Sequence, residues 1–496
     1  MRNYILAIDQ GTTGSRAVLV DSGGQALAQE NAEFRQIFPR PGWVEHDPGD
    51  IWASVASVVR GVFQKTSVKP AQLAAIGITN QRETVLLWDR ASGKPIHNAI
   101  VWQCRRTAPF CERLKRRRLG RSIRQKTGLV IDPYFSASKI HWLLTNVDGA
   151  RAAARNGRLI AGTIDTYLLW RLTGRAVHKT DVSNASRTML MDLRTAAWDP
   201  ALLELFAVPA SALPEIAPSS GVFGSTRGLD FLPDGIPIAG IAGDQQAALF
   251  GQSCFKAGEA KCTFGTGSFL LMNTGRDLVR SKAGLLTTVA WQLAHPKNLT
   301  YALEGGAFVC GAAVQWLRDG LGFFSSSREV EELAGQVETT DGVEFVPALS
   351  GLGAPHWDAQ ARGLLSGLTR GTTRAHIARA TLESMALQNA DILSAMQKDL
   401  GRRLRKLRVD GGASANNLLM QIQADLLGVS IDRPRMIETT SAGAAYLAGL
   451  GVGFWSGIEE IEKIWQVERR FAPHLSARRR KERFERWNKA IRRARL

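Results

Sequence analysis

The sequence has few of the residues that would tie it to an oxidising compartment or to a structural metal. It contains only five cysteines, Cys104, Cys111, Cys254, Cys262 and Cys310. Their number is odd and no two form a CxxC pair. That excludes a disulfide scaffold and a zinc ribbon, and predicts buried free thiols in a reducing, cytoplasmic setting. The eight histidines show no metal-binding spacing. No apolar run reaches the roughly 18–20 residues needed to span a bilayer, so no transmembrane segment is expected. The opening Met1–Asp9 stretch is short and ends in an acid, so it reads as a first strand and not as a signal peptide.

What remains is a globular composition, with 45% hydrophobic and 22% charged residues. A chain of 496 residues exceeds one ordinary core, and two large domains are predicted. The formal charge of +18 is high, but much of it is local. From Arg469 to Leu496 there are twelve Lys/Arg and two Glu. Phe484, Trp487 and Ile491 recur there at helical spacing, which predicts a docked helix whose cations face water. No specific nucleic-acid partner is expected.

The order of patterns is α/β. Tyr4–Asp9 reads as a strand, Gln10–Gly14 as a polar loop, and Arg16–Asp21 as a second strand. Ala260–Thr263, the loop from Phe264 to Ser268, and Phe269–Asn273 repeat that logic about 250 residues later, which suggests two similar halves facing one cleft. The boundary is expected near Gly251–Gly258, giving domains 1–251 and 252–496 with a basic tail over 469–496. Helices are expected over Glu112–Arg124, Ser138–Asn146, Asp244–Phe250, Arg374–Leu400 and Thr439–Leu450. A short strand is expected at Leu407–Val409.

Three glycine-rich loops sit at strand ends. In Asp9-Gln10-Gly11-Thr12-Thr13-Gly14-Ser15, glycines let N–H groups turn inward and threonine hydroxyls add donors, which suits phosphate oxygens. Asp9 is placed to hold Mg²⁺ through water, and Arg16 adds charge beside the phosphates. No GK[ST] follows, so this is not a Walker loop. Gly265-Thr266-Gly267 and Asp410-Gly411-Gly412-Ala413-Ser414 are the other two. Each alone could be an ordinary turn; together they support one another.

Arg82 and Glu83, within Asn80-Gln81-Arg82-Glu83-Thr84, can bond polyol hydroxyls by donating and accepting in turn. Trp102 can cover the carbon face. An adjacent surface ion pair and a core aromatic are the plain alternatives. Asp244, at a strand end and helix start, can serve as general base or merely as a helix cap. Beside the polyol pair and the phosphate loops, the catalytic reading is the stronger. The combination predicts an ATP-dependent kinase of a small polyol.

The runs IDQGTTGSRAVLVD, AAIGITNQRETVLLWD, NAIVWQCRRTA, SNASRTMLMDL, GIAGDQQAALFGQ, TFGTGSFLLMNTG, YALEGGAFVCGAAVQWLRD and RVDGGASANNLLMQ resemble the FGGY carbohydrate kinases. ITNQRET and VWQCRRT resemble the members that act on glycerol. The resemblance runs from about Tyr4 to about Phe471. It implies two ribonuclease-H-like domains of the actin and Hsp70 type around a deep cleft. It implies ATP and Mg²⁺ as cofactors and phosphorylation of glycerol to sn-glycerol 3-phosphate in glycerol catabolism. By motif, Arg82, Glu83, Tyr134, Asp244 and Gln245 would bond the glycerol hydroxyls, and Trp102 and Phe269 would wall its carbons. Thr12, Thr13, Ser15 and Arg16 match the first nucleotide loop. Thr266, Gly311, Gln315, Gly412 and Asn416 match the second-domain ATP contacts. A homodimer or homotetramer is expected.

Two regulatory patterns are missing. Arg227–Asp234 stands where a Gly-Gly-Thr-Arg loop would bind fructose 1,6-bisphosphate, and Ser225-Thr226-Arg227 stands where some members carry a phosphorylatable histidine. Rival readings are a pentulose or gluconate kinase of the same family and a non-catalytic nucleotide-binding scaffold.

Overall fold

A computed structural model describes residues 3–296 and 298–496. Its frame is two mixed sheets with the same internal order. In the first, Tyr4–Gln10, Gly14–Asp21 and Ala26–Glu33 form an antiparallel meander. Leu73–Asn80 lies parallel to Tyr4–Gln10, Pro237–Gly243 lies parallel beyond it, and Ser220–Ser225 closes the edge. In the second, Ala260–Phe264, Ser268–Gly275 and Leu299–Ala307 repeat the meander. Lys406–Asp410 and Ser430–Pro434 repeat the two parallel strands, with Leu286–Gln292 and Val467–Phe471 at the edges. The repeat read from two strand-loop-strand patterns therefore extends to five strands in each half.

A third sheet of four short strands, Glu45–His46, Ala99–Ile100, Val85–Asp89 and Leu159–Thr163, is inserted in the first half. Leu73–Asn80 and Val85–Asp89 are fully or almost fully buried runs, as strands covered on both faces must be. The four residues between them, Gln81–Thr84, join the main sheet to this inserted one.

The predicted helices form at Ser136–Asn146, Asp244–Gly251, Arg374–Leu400 and Thr439–Gly451. One prediction is corrected. The Glu112–Arg124 stretch is two helices, Ala108–Arg116 and Gly120–Thr127. The chain turns between them at Arg118, whose φ is 59°. Leu114 and Ile123 are each buried on the helix that carries them. The polar, cationic sequence between carries no apolar stripe that would hold one continuous helix.

The Thr439–Gly451 helix comes from late in the chain but packs on the first sheet and on the Asp244–Gly251 helix. Its small side chains allow backbone contact. A β-carbon at Gly77 would sit 2.1 Å from the Ala444 carbonyl oxygen, and one at Gly443 would sit 1.8 Å from that of Ala247. One hydrophobic core thus joins Ile5, Val18, Ala75 and Ala239 to Ala442, Ala445 and Leu447.

The basic C-terminus forms the helix Ala477–Ala494, with Trp487 and Ile491 buried and Phe484 half-buried against the same core, along the face its spacing predicts. The cations do not all face water. Arg483 is buried, with its guanidinium 2.6 Å from Glu344 and 2.7 Å from Glu383. All five cysteines are free and buried.

Candidate active site

The parallel strands of the first sheet bring the candidate residues together. Gln10 lies opposite Asn80, and Asn80 opposite Gly243, so Asp9, the Gln81–Thr84 segment and Asp244 emerge side by side at one end of three adjacent strands. Side-chain amides fasten this end. Gln81 Nε2 donates to Gln10 Oε1 and to the Gly11 carbonyl, each at 3.0 Å, tying the Gln81–Thr84 segment to the Gln10–Gly14 loop. Asn80 and Asn184 exchange a pair of hydrogen bonds at 3.1 and 3.0 Å.

Arg82 is 3% exposed and lies at the centre of the cluster. Its Nε is 3.1 Å from Asp244 Oδ1, and its Nη2 lies 3.4 Å from the Tyr134 hydroxyl. Its guanidinium carbon is 6.0 Å from the centre of the Phe269 ring, which comes from the second half. Trp102 meets Tyr134 edge to face at 5.5 Å and donates from Nε1 to Thr12 Oγ1 at 2.9 Å. The aromatic wall is thereby bonded to the phosphate loop. Glu83 is buried and holds φ at 61°, a left-handed backbone that costs a non-glycine residue about 1–2 kcal/mol. Such strain persists where the surroundings over-determine it, and it concentrates at functional sites.

Cationic and anionic side chains alternate in the pocket, with Arg82 buried and the Asp244 side chain 31% exposed. Burial pushes the Asp244 carboxyl up from its ordinary range, against the pull of Arg82 and Lys261. Burial raises Asp9 to about 6, with Arg16 opposing and Asp244 adding to the rise. Burial likewise raises Glu83, against Arg187 and Arg82.

Three residues that sequence reasoning did not single out complete the network. Glu304 accepts from Arg82 Nη1 at 2.6 Å and Nη2 at 2.9 Å. Arg187 donates from Nε to Glu83 Oε1 at 2.6 Å and from Nη2 to Glu304 Oε1 at 3.1 Å. Lys261 donates to Gln245 Oε1, and to Thr263 Oγ1 at 2.7 Å. A signal existed for two of them. Glu304 and Lys261 are lone charges inside otherwise apolar strands, where an ion is costly unless paired.

The second-half nucleotide candidates converge as well. Thr266, Gly311, Gln315, Gly412 and Asn416 line one cavity of about 570 Å³, together with Val314, Met385 and Leu419. Apolar walls with polar loops at the mouth suit a flat base and its ribose. A β-carbon on Gly311 would lie 2.6 Å from the Gly265 carbonyl oxygen, so the two loops touch backbone to backbone. A wider space of about 710 Å³, bounded by Trp102, Tyr134, Phe308, Leu352 and Trp357, opens beside the polyol cluster between the halves.

Two first-loop candidates have side chains already engaged within the protein. Ser15 Oγ is buried 2.7 Å from Ser54 Oγ, so its hydroxyl points into the domain and away from the loop. The β-strand alternation that exposes Gly14 and Arg16 turns Ser15 inward. Arg16 stands beside Asp9, but its guanidinium is engaged by Glu438 and donates to Asn31 Oδ1 at 2.6 Å. Thr12 and Thr13 remain at the loop surface.

Residues 4–251 match the FGGY family of carbohydrate kinases, N-terminal domain, and residues 260–452 match its C-terminal domain. The chain belongs to the FGGY family of carbohydrate kinases. Among similar curated proteins, the glycerol kinase of Bdellovibrio bacteriovorus is 60% identical over 493 residues, covering 99% of both chains. Glycerol kinase 2 of Thermotoga maritima is 55% identical, covering 99% of this chain and 98% of that one. Among solved structures, Plasmodium falciparum glycerol kinase with ADP superposes with a TM-score of 0.92 at 38% identity, covering 100% of this chain and 99% of that one. Lactobacillus acidophilus gluconate kinase superposes at 0.86 with 23% identity over 99% of this chain and 98% of that one, a likeness of fold. The FGGY kinase fold here is thus the two-domain, actin- and Hsp70-like arrangement, with both repeated sheets flanking the cleft.

Proposed function

We propose that the chain transfers the γ-phosphoryl group of ATP to a terminal hydroxyl of glycerol, giving sn-glycerol 3-phosphate and ADP. The observation that carries this reading is the juxtaposition of Arg82 with Asp244, Tyr134 and Phe269 at the strand ends that also bear the first phosphate loop. High identity to proteins named glycerol kinase over the whole chain supports it.

In this reading residues 1–251 supply the polyol pocket and the first phosphate loop, and residues 252–496 supply the adenosine site. Arg82, Glu83, Tyr134, Asp244 and Gln245 hold the hydroxyls, and Trp102 and Phe269 cover the carbons. Thr12, Thr13, Ser15, Arg16, Thr266, Gly311, Gln315, Gly412 and Asn416 make up the ATP site. Asp244 accepts the proton of the attacking hydroxyl as the new O–P bond forms and the β–γ bridge bond breaks, and the electron pair leaves with ADP. Partial burial raises its carboxyl, which makes the carboxylate a better base. The two walls exclude water that would otherwise take the phosphoryl group.

Asp9 fits a hard cation held through water, because the nearby Asp244 charge adds to the rise of its carboxyl and a positive partner offsets it. Among the described residues no cluster of three or more acids, histidines or cysteines forms a complete cage. Mg²⁺ keeps several waters and takes phosphate oxygens as ligands. When bound, the ion neutralises charge on the phosphate oxygens.

No helix is long and apolar enough to cross a membrane among the described residues. We place the enzyme in the cytoplasm as a homodimer or homotetramer. A coupled ADP-release assay with glycerol, xylulose, ribulose and gluconate tests the substrate. Turnover of glycerol at least about a hundredfold above the others in kcat/KM supports the reading, since a hydrogen-bonding site discriminates by such factors or more. Comparable or better turnover of a pentulose or gluconate would overturn it.

A further inference from the structure

Arg82, Glu304, Arg187 and Glu83 form a continuous chain of alternating charge. Arg82 bonds Glu304 through both η nitrogens, at 2.6 and 2.9 Å. Glu304 Oε1 accepts from Arg187 Nη2 at 3.1 Å, and Arg187 Nε reaches Glu83 Oε1 at 2.6 Å. All four side chains are at most 3% exposed. Arg82 and Glu83 are adjacent in sequence, so the chain of ions closes into a loop. Glu304 lies on the Leu299–Ala307 strand of the second sheet, while the other three belong to the first half. Arg187 is further pinned over Tyr134 and Phe135, its guanidinium carbon 5.6 and 5.3 Å from their ring centres.

Resting on the glycerol reading above, we infer that Glu304 and Arg187 are positioning residues for the polyol pair, and that Glu304 makes glycerol affinity depend on the second half of the chain. The reasoning is geometric. Arg82 spends Nε on Asp244 and Nη1 on Gln246 and Glu304, leaving Nη2 with only the long 3.4 Å contact to Tyr134 beside its Glu304 bond. Among the described residues no donor reaches Glu83 Oε2. Each member of the pair therefore has most of its bonding capacity filled and one direction left for a ligand. A long guanidinium held at both ends pays its ordering cost before the substrate arrives. Glu304 remains ionised throughout, because Arg187 and Arg82 outweigh the burial that would otherwise raise it and hold it at about 2.

A merely structural clasp between the halves would affect both substrates or neither. The test is Glu304→Gln in the full-length enzyme, which removes the negative charge and puts an amide donor against Arg82. Glycerol KM, and glycerol binding to nucleotide-free enzyme by calorimetry, should weaken by roughly tenfold or more, as expected when a charge-assisted bidentate pair is lost. ATP KM should stay within about twofold, the split that marks loss of substrate binding alone. The penalty should shrink for propane-1,2-diol or propane-1,3-diol, whichever lacks the hydroxyl that Arg82 reads. Arg187→Lys keeps the charge but loses the Nε bond to Glu83; it should show the same glycerol-specific loss, and it serves where Glu304→Gln does not fold. Equal rises in both KM values, or an unmoved glycerol constant in a folded variant, would overturn the inference. Failure of the wild-type enzyme to phosphorylate glycerol would instead overturn the reading on which it rests.

Discussion

Replacing Asp244 by Asn removes a base while leaving a side chain of the same shape. The amide oxygen can still face Arg82 Nε, now 3.1 Å from Oδ1, and still accept from the Gln245 N–H at 2.7 Å. Arg82 does not become an orphaned ion, because Glu304 holds it with two bonds. The cost in folding should therefore be small, and the loss should fall on the chemical step. General-base catalysis contributes about 10²–10⁴ in rate, which is about 2.7–5.5 kcal/mol of barrier. The site gains one unit of positive charge, so ATP should bind no worse. The pH profile gives a second readout. The Asp244 carboxyl is raised by burial, and only its ionised form accepts a proton, so wild-type kcat should fall as pH drops through that raised value. The Asn variant should lose that limb. Coupled ADP release from pH 5 to 9, with single-turnover quench at pH 7.5, measures both. Turnover within about threefold of wild type, or an unchanged acid limb at reduced rate, would refute the role assigned to Asp244.

Other substitutions separate the parts of the site. Glu83→Gln should raise glycerol KM about tenfold, the difference between a charged and a neutral acceptor, and ATP KM much less; steady-state titration of both substrates checks it. Gly311→Ala puts a methyl 2.6 Å from the Gly265 carbonyl oxygen, so ATP KM should rise about fivefold or more while glycerol binding, read by calorimetry without nucleotide, holds. Arg483→Ala leaves Glu344 with Arg486 at 3.3 Å and Glu383 with Arg379 at 3.5 Å as their remaining ion-pair partners beneath the C-terminal helix. That should cost about 2–3 kcal/mol, below the penalty for a wholly unpaired buried charge, and lower the melting temperature by about 2–3 °C in a chain this long, with little change in either KM of the folded enzyme.

Local patterns were legible where a residue's role depends on its immediate neighbours. The strand-loop-strand repeat, the strand end before Asp244 and the glycine loops all depend on a few consecutive residues. The apolar spacing of Phe484, Trp487 and Ile491 located the docking face of the last helix. Arg483 lies one residue before that stripe, and nothing nearby announced that Glu344 and Glu383 would meet it. Arg187 failed to stand out for the same reason, its partner Glu83 lying 104 residues away in sequence, while Glu304 showed as a lone charge in an apolar strand but its partner, 222 residues away, did not. The inward turn of Ser15 was not legible, because the loop motif does not announce the strand alternation that begins inside it. The break at Arg118 was missed because a run of cations reads as helical by propensity, while only burial decides where the helix ends.

The helix Thr439–Gly451 carries a consequence for how the molecule comes apart. Chains with two lobes ordinarily melt in steps, because each lobe has a complete interior. Here the first lobe borrows its cover from a segment some 190 residues beyond its last strand. A fragment ending at Gly251 would present Ala7, Val18, Ala75 and Ala239 to water, all at most 1% exposed in the full chain. The first lobe cannot keep its fold once that segment is lost from it. Calorimetry should accordingly record one heat-absorption peak, and during synthesis the first lobe must wait, incomplete, until the chain has nearly finished.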